Sequence, residues 1–265
     1  MGLSVLLSVY IKEKPDYLRA CFDSLLAQSQ PADQVVLVED GPLTGALLQV
    51  IDDYAARLPL VRVRLEQNQG LARALNHGLQ HCSHDLVARM DTDDVALPQR
   101  FERQLAYMAA HPDVDVASAW IEERNQGMEQ VFHLKKLPEH HEQLKGFAKK
   151  RSPFSHPVTI FRKQAVLDVG GYPQVFPEDY GLWSLMLVRG YRFGNIPEVL
   201  LYMRTDEDFI ARRGLTFFKG EIGLLRFQRQ IGFLSPLEYW LNLGLRAAIR
   251  LPPPAVRRFL YRYSR

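Results

Sequence analysis

Within "ARMDTDDVALP" (residues 88–98), Asp91, Asp93 and Asp94 crowd three carboxylates into four positions. Ionised groups so close repel one another unless their surroundings oppose it. Two readings are open. In one, the aspartates form a solvated turn capping the helix that Pro98 introduces, because Asp accepts from the free N–H groups of a first helical turn. In the other, they hold a divalent cation. Mg²⁺ and Mn²⁺ favour carboxylate oxygens plus substrate phosphates over a cage made of protein alone, so a D-x-D pair beside a diphosphate is sound chemistry. His77, His81 and His84 follow i, i+4, i+7 spacing, which can place three imidazoles on one helix face as a zinc site requires. Against zinc, His77 and His81 fall opposite Leu71, Leu75 and Leu79, and His84 follows the helix end.

The elements that must position these residues alternate in period. "LSVLLSVY" (3–10) reads as a buried strand, and after Pro15 the residues Leu18, Cys21, Phe22, Leu25 and Leu26 mark one helix face. The strands 33–40 and 61–67 and the helices 44–58 and 70–82 continue the alternation. A short strand at 85–91, a helix at 98–111 and a strand at 114–120 complete it. Repeated β then α predicts an α/β chain with a mostly parallel sheet flanked by helices. Ligands of such sheets bind beyond the carboxyl ends of the strands. Those ends carry Tyr10, then Glu39, Asp40 and Gly41, then Asn68 and Gly70, then Asp91 and Asp93. No G-x-G-x-x-G follows the first strand and no G-x-x-x-x-G-K-[ST] occurs, which removes the main support for hydride transfer and ATP hydrolysis. A nucleotide still suits the rim, with Tyr10 facing a base, Asp40 meeting base or ribose hydroxyls, and aspartates holding a metal on phosphates.

Beyond Trp120 the pattern loosens, and polar residues 121–152 look added to the sheet. The expected divisions are 1–120, 121–211 and a helical tail, 212–265. Charge sets the tail apart. Residues 1–211 carry 22 basic and 28 acidic side chains, whereas 212–265 carry 11 and 2. Arginines mixed with Tyr239, Trp240, Leu241, Leu245, Ile249, Phe259 and Tyr261 suit a segment lying on an anionic bilayer. A basic helix packed on the body, or contact with nucleic acid, are the alternatives, nucleic acid being the least expected. Pro252–Pro254 should separate a helix at 236–250 from a last one at 255–263. Without a basic leader or a long apolar run, the chain is expected in the cytoplasm, peripheral to the inner membrane, and Cys21 and Cys82 read as structural.

"SVYIKEKPDYLRACFDSLLAQ", "VVLVEDGP", "NQGLARALNHGL" and "ARMDTDD" followed by "LPQRFERQ" resemble the nucleotide-binding half of the family 2 inverting glycosyltransferases with the GT-A fold. "SHPVTIFRK", "GGY" (170–172) and "EDYGLWSLMLVRGYRFGNIPEVLLYMR" resemble the acceptor half, so the likeness spans roughly residues 3–206. The tail more loosely resembles bacterial exopolysaccharide enzymes of the amylovoran and colanic-acid type. The resemblance implies that Tyr10 and Asp40 hold uracil and ribose, that Arg73 sits near the diphosphate, and that Asp91 and Asp93 hold Mn²⁺ or Mg²⁺, with Asp94 opening the next helix. It implies Asp179 as general base with Glu178 beside it, and His156 lining the acceptor site or making a structural hydrogen bond. Ile11 departs from the Asn that many relatives carry there. Trp183 and Tyr180 can stack on a sugar or pack in the core, Gly170 and Gly171 can approach a ligand or simply turn, and Arg204 can reach the diphosphate. The implied partners are a UDP-sugar donor, a glycan acceptor, expected to be lipid-linked, and an anionic membrane. The rival is a non-catalytic nucleotide-sugar-binding or scaffold subunit.

Overall fold

A computed structural model describes residues 2–205 and 215–252. Four β–α steps open the chain: β1 (Leu3–Val9) to α1 (Pro15–Leu26), β2 (Gln34–Glu39) to α2 (Gly45–Tyr54), β3 (Leu60–Arg64) to α3 (Leu71–His81), and β4 (Leu86–Arg89), through the short β5 (Val95–Ala96), to α4 (Arg100–Ala110). β1, β2 and β4 are almost wholly buried. Their richness in Val and Leu reflects helices on both sides. Pro15 starts α1 where its missing N–H costs nothing, and Leu18, Cys21, Phe22 and Leu25 turn inward.

The rest of the chain builds the far side of the sheet. It contains β6 (Val116–Arg124), β7 (Val131–Lys135), α5 (His141–Ala148), a 3₁₀ turn (His156–Val158), β8 (Ile160–Arg162), α6 (Lys163–Asp168), α7 (Glu178–Val188), β9 (Phe193–Arg204), α8 (Leu215–Gln230) and α9 (Pro236–Arg250). The strand order is β3-β2-β1-β4-β8-β6-β9-β5, with β7 on β6. β1 to β4 run parallel, β6 pairs β9 in parallel, and β8, β7 and β5 pair antiparallel to their neighbours. One apolar layer gathers Val5, Leu7, Phe22 and Leu86, and the other gathers Leu6, Val87, Tyr172 and Trp183.

Four expectations change. Residues 121–124 belong to the sheet, because β6 continues beyond Trp120 with alternating burial, and Arg124 is neutralised by Glu122 at 2.6 Å while stacking on Tyr202. The division at 120/121 therefore falls inside a strand. The aspartate loop does not cap α4, whose N-cap position is Gln99. α8 is a separate helix that the undivided tail concealed. α9 packs with its polar face inward: Arg246 and Arg250 pair with Glu221 at 2.9 and 2.8 Å, and Asn242 donates to the Lys149 carbonyl at 3.0 Å. Its outer face exposes Leu237, Trp240, Leu241 and Leu245. The expected helix at 255–263 and the division at 211/212 lie outside the described residues.

Candidate active site

At the carboxyl ends of β1 to β4 a cleft of about 420 Å³ opens, its walls including Tyr10, Glu13, Asp40, Gly70, Asp91 and Asp93. Tyr10 is exposed there, one residue beyond β1. Asp40 turns its carboxylate to the loop before α3, accepting from Gln69 N–H at 2.7 Å, Gly70 N–H at 3.0 Å and the Asn68 amide at 2.9 Å. Those bonds occupy three of the roughly four lone-pair positions of a carboxylate, so Asp40 shapes the cleft before it can meet a ligand. Gly41 allows this closure, because a Cβ at its φ of +87° would stand 2.6 Å from the Asn68 nitrogen. Gly70 precedes α3 without a side-chain cap, leaving first-turn N–H groups for an anion.

The three aspartates bring carboxylate oxygens within 4.8 Å of one another. Asp91 is ion-paired with the guanidinium of buried Arg89. Burial, then Asp91, then Glu13 push Asp93 up to about 7. Burial, with Asp93 and Asp91 beside it, raises Asp94 well above the usual carboxylate range. Asp94 is not the residue that opens a helix: it is buried, its Oδ1 accepts from Arg204 N–H at 2.9 Å, and its Oδ2 has no partner. An all-oxygen donor set with an unsatisfied carboxylate oxygen fits Mg²⁺ or Mn²⁺. Sequence reasoning passed over Glu13, which accepts from Thr92 Oγ1 at 2.6 Å on the cleft wall.

A second acidic site opens α7. Glu178 and Asp179 occupy its first turn after Pro177, where the helix dipole favours negative charge. Burial nevertheless dominates: it pushes Glu178, with Asp179 adjacent, to about 7, and it raises Asp179. His156 is buried, with Nε2 3.1 Å from the Tyr172 hydroxyl, and burial and Arg89 hold it neutral, its pKa well below the usual value. Asn76 clamps Tyr172 by its N–H and its carbonyl, both at 2.8 Å. Gly171, at φ +76°, admits that amide, so the close approach is to Asn76.

Other expected positions fall elsewhere. Trp183 is fully buried, edge-on to Phe154, Phe193 and His156, so its faces are packed in the core and do not receive a sugar. Tyr180 is likewise buried, with its hydroxyl on the Ala148 carbonyl. Arg204 props the aspartate loop, donating from Nε to the Asp93 carbonyl at 2.9 Å and lying 3.9 Å over Tyr17. Arg73 is exposed on α3 and does not line the cleft. The histidines disperse, with His84 on Ser4 and His81 on the His77 carbonyl, and the metal-capable acidic or histidine group among the described residues is the aspartate trio.

Residues 4–170 match the family model described as glycosyl transferase family 2. The chain belongs to that family. A glycosyltransferase of amylovoran biosynthesis, AmsE of Erwinia amylovora, is 42% identical over 268 residues, covering 99% of this chain and 98% of its own. The UDP-Gal:alpha-D-GlcNAc-diphosphoundecaprenol beta-1,3-galactosyltransferase of Escherichia coli is 36% identical, covering 98% and 94%. Among solved structures, Staphylococcus aureus TarS 1–349 in complex with UDP-GlcNAc superposes with a TM-score of 0.70 at 20% identity, over 93% of this chain and 72% of that one. The mannosyltransferase PcManGT of Pyrobaculum calidifontis, with GDP-Man and Mn²⁺, reaches 0.68 at 18% identity, over 92% and 68%. This family 2 member is a glycosyltransferase with the GT-A fold, and the reading as a non-catalytic subunit gives way to that of an enzyme.

Proposed function

We propose that this glycosyltransferase moves a sugar from a UDP-sugar, with a divalent cation and inversion at the anomeric carbon, to a lipid-linked glycan during bacterial surface polysaccharide assembly. One observation carries the reading: a single cleft gathers an aromatic ring at Tyr10, the uncapped start of α3, and the carboxylates of Asp91 and Asp93. Ring, helix start and acids suit base, diphosphate and metal in turn. The Erwinia and Escherichia relatives, named for amylovoran biosynthesis and for transfer to a diphosphoundecaprenol-linked sugar, support the polysaccharide context and the lipid diphosphate acceptor.

Asp91 and Asp93 would hold the cation, which supplies charge neutralisation to the departing diphosphate. Asp179 takes the proton of the acceptor hydroxyl as that oxygen attacks, with Glu178 as its neighbour. Base on the acceptor side and diphosphate leaving on the other make one displacement, which inverts the centre. His156 and Tyr172 brace the acceptor side by their mutual hydrogen bond. The outer face of α9 and the basic tail seat the enzyme on the cytoplasmic face of the inner membrane. No helix among the described residues is long and apolar enough to cross it.

The reading is tested by calorimetric titration with UDP, GDP and dTDP, with and without Mn²⁺, on the natural chain and on Asp93→Ala. UDP should bind with Mn²⁺ and lose at least about tenfold in affinity in the variant, a difference of about 1.4 kcal/mol. No binding by any nucleotide would overturn the donor assignment.

A further inference from the structure

The acid pair that opens α7 is reached through residues 173–177, and two glycines make room for that stretch. A Cβ on Gly181 of α7 would stand 2.6 Å from Val175 Cγ2 and 2.8 Å from Pro173 Cγ. A Cβ on Gly220 of α8 would stand 2.6 Å from Phe176 Cδ1. Side-chain atoms do not approach a Cβ so closely, so the stretch lies on the bare backbone of two helices. Phe217, three residues before Gly220, meets the Phe176 ring edge-on with 5.2 Å between centroids. Phe176 nevertheless remains 48% exposed, so burial of its ring is a weak reason for this fit.

The next residue on α8, Glu221, is held from the other side. Arg246 Nη1 and Arg250 Nε of α9 reach its carboxylate at 2.9 and 2.8 Å. Arg250 also lies 4.8 Å over the Phe217 ring, and Arg246 lies 5.7 Å over the ring of Tyr180, the residue after Asp179. Arg246 and Glu221 are buried, where an ion pair adds little stability and serves better to fix one register. α8 is thus gripped by α9 at one residue and fitted to the acid-pair stretch at its neighbour. The outward side of α9 is apolar, with Leu237, Trp240, Leu241 and Leu245 exposed. Positive charge accompanies it, from exposed Arg226 and Arg229 on α8 and from Arg257, Arg258, Arg262 and Arg265 in the sequence after α9. An apolar helix face with cations around it suits an anionic bilayer.

We propose that α8 couples the two ends: an anionic bilayer taken up on the outer face of α9 steadies, through Glu221 and Gly220, the stretch that presents Glu178 and Asp179. Gly220 and Phe176 are then positioning residues that act through this stretch. The coupling rests on the readings of α9 as the membrane seat and of the acid pair as the site of the base. Its consequence is an enzyme whose base is held best where a lipid-linked acceptor lies.

Hydrogen–deuterium exchange of the whole chain tests this, read on peptides covering residues 173–184 with and without phosphatidylglycerol vesicles. Vesicles should slow exchange there at least about threefold. Gly220→Ala pushes Phe176 off α8 while favouring the helix. That variant should melt no lower than the natural chain, sediment with vesicles equally well, and lose the slowing. Phe176→Ala, at an exposed position, should behave alike without touching α8 and carries the test if the helix variant does not fold; Phe176→Tyr should restore the slowing. Sedimentation of the natural chain without slowing overturns the coupling and leaves α9 as the membrane seat. Slowing that persists in Phe176→Ala overturns it too, because the vesicle then protects the stretch by some other route. Absence of sedimentation by the natural chain overturns the membrane seat and this proposal with it.

Discussion

Asp179 and Asp93 are both carboxylates raised by burial. In the proposed reaction both must ionise, Asp93 with a cation bound to it and Asp179 left uncommitted so that it can take a proton. That difference yields a clean substitution. Asp179→Asn keeps shape and helix position, so UDP affinity measured by calorimetry should be unchanged while sugar transfer falls about 100- to 10,000-fold, the usual worth of a general base. Full transfer by the variant would take Asp179 out of the chemistry. The "ED" pair was visible in the sequence only through family likeness. Arg89 and Glu13 went unnoticed because a lone Arg or Glu beside a strand has no spacing that marks it, and their roles come from what the fold brings near.

At the scale of elements, α9 is inverted relative to the sequence expectation. The composition of the tail pointed to arginines reaching for lipid phosphates, but Arg246 and Arg250 are consumed by buried Glu221, and the apolar stripe is what faces out. Leu237, Trp240, Leu241 and Leu245 recur at i, i+3, i+4 and i+8, a continuous face with Trp at 66% exposure. Such faces bury their apolar residues at the headgroup boundary. Deleting α9 would strip Glu221 of its partners, so a surface substitution is the sharper probe. Leu241→Glu should leave the melting temperature within about 2 °C, as exposed sites do, and cut sedimentation with phosphatidylglycerol vesicles at least fivefold. Undiminished sedimentation would mean that α9 is not the docking element.

Across the whole molecule, the acidic sites make stability depend on pH, and a cation bound in the proposed site would change that dependence. Asp93 and Glu178 stay protonated up to about 7 in the native state, against ordinary values of 3.8 and 4.5 in the unfolded chain. Between those limits the native state binds more protons, so these groups lower stability as pH rises from about 4 to about 7. His156 works in the other direction, since it is held neutral and costs stability below its ordinary 6.5. A cation that replaces the proton on Asp93 removes the first penalty. Mn²⁺ should therefore raise the melting temperature more at pH 8 than at pH 5 in calorimetry, and should do little to Asp93→Asn at either pH. An equal rise at both would argue that the cation binds elsewhere. By itself the sequence determined the β–α alternation, the rim of strand ends and the aspartate loop, because periodicity and strand order are written locally. Tertiary structure alone decided that Trp183 is core, that Asp94 is locked to Arg204, that α9 turns its charges inward, and that Arg89 is buried against Asp91. Each of these is set by which residues from distant parts of the chain share a low-dielectric space, and no local pattern carries that.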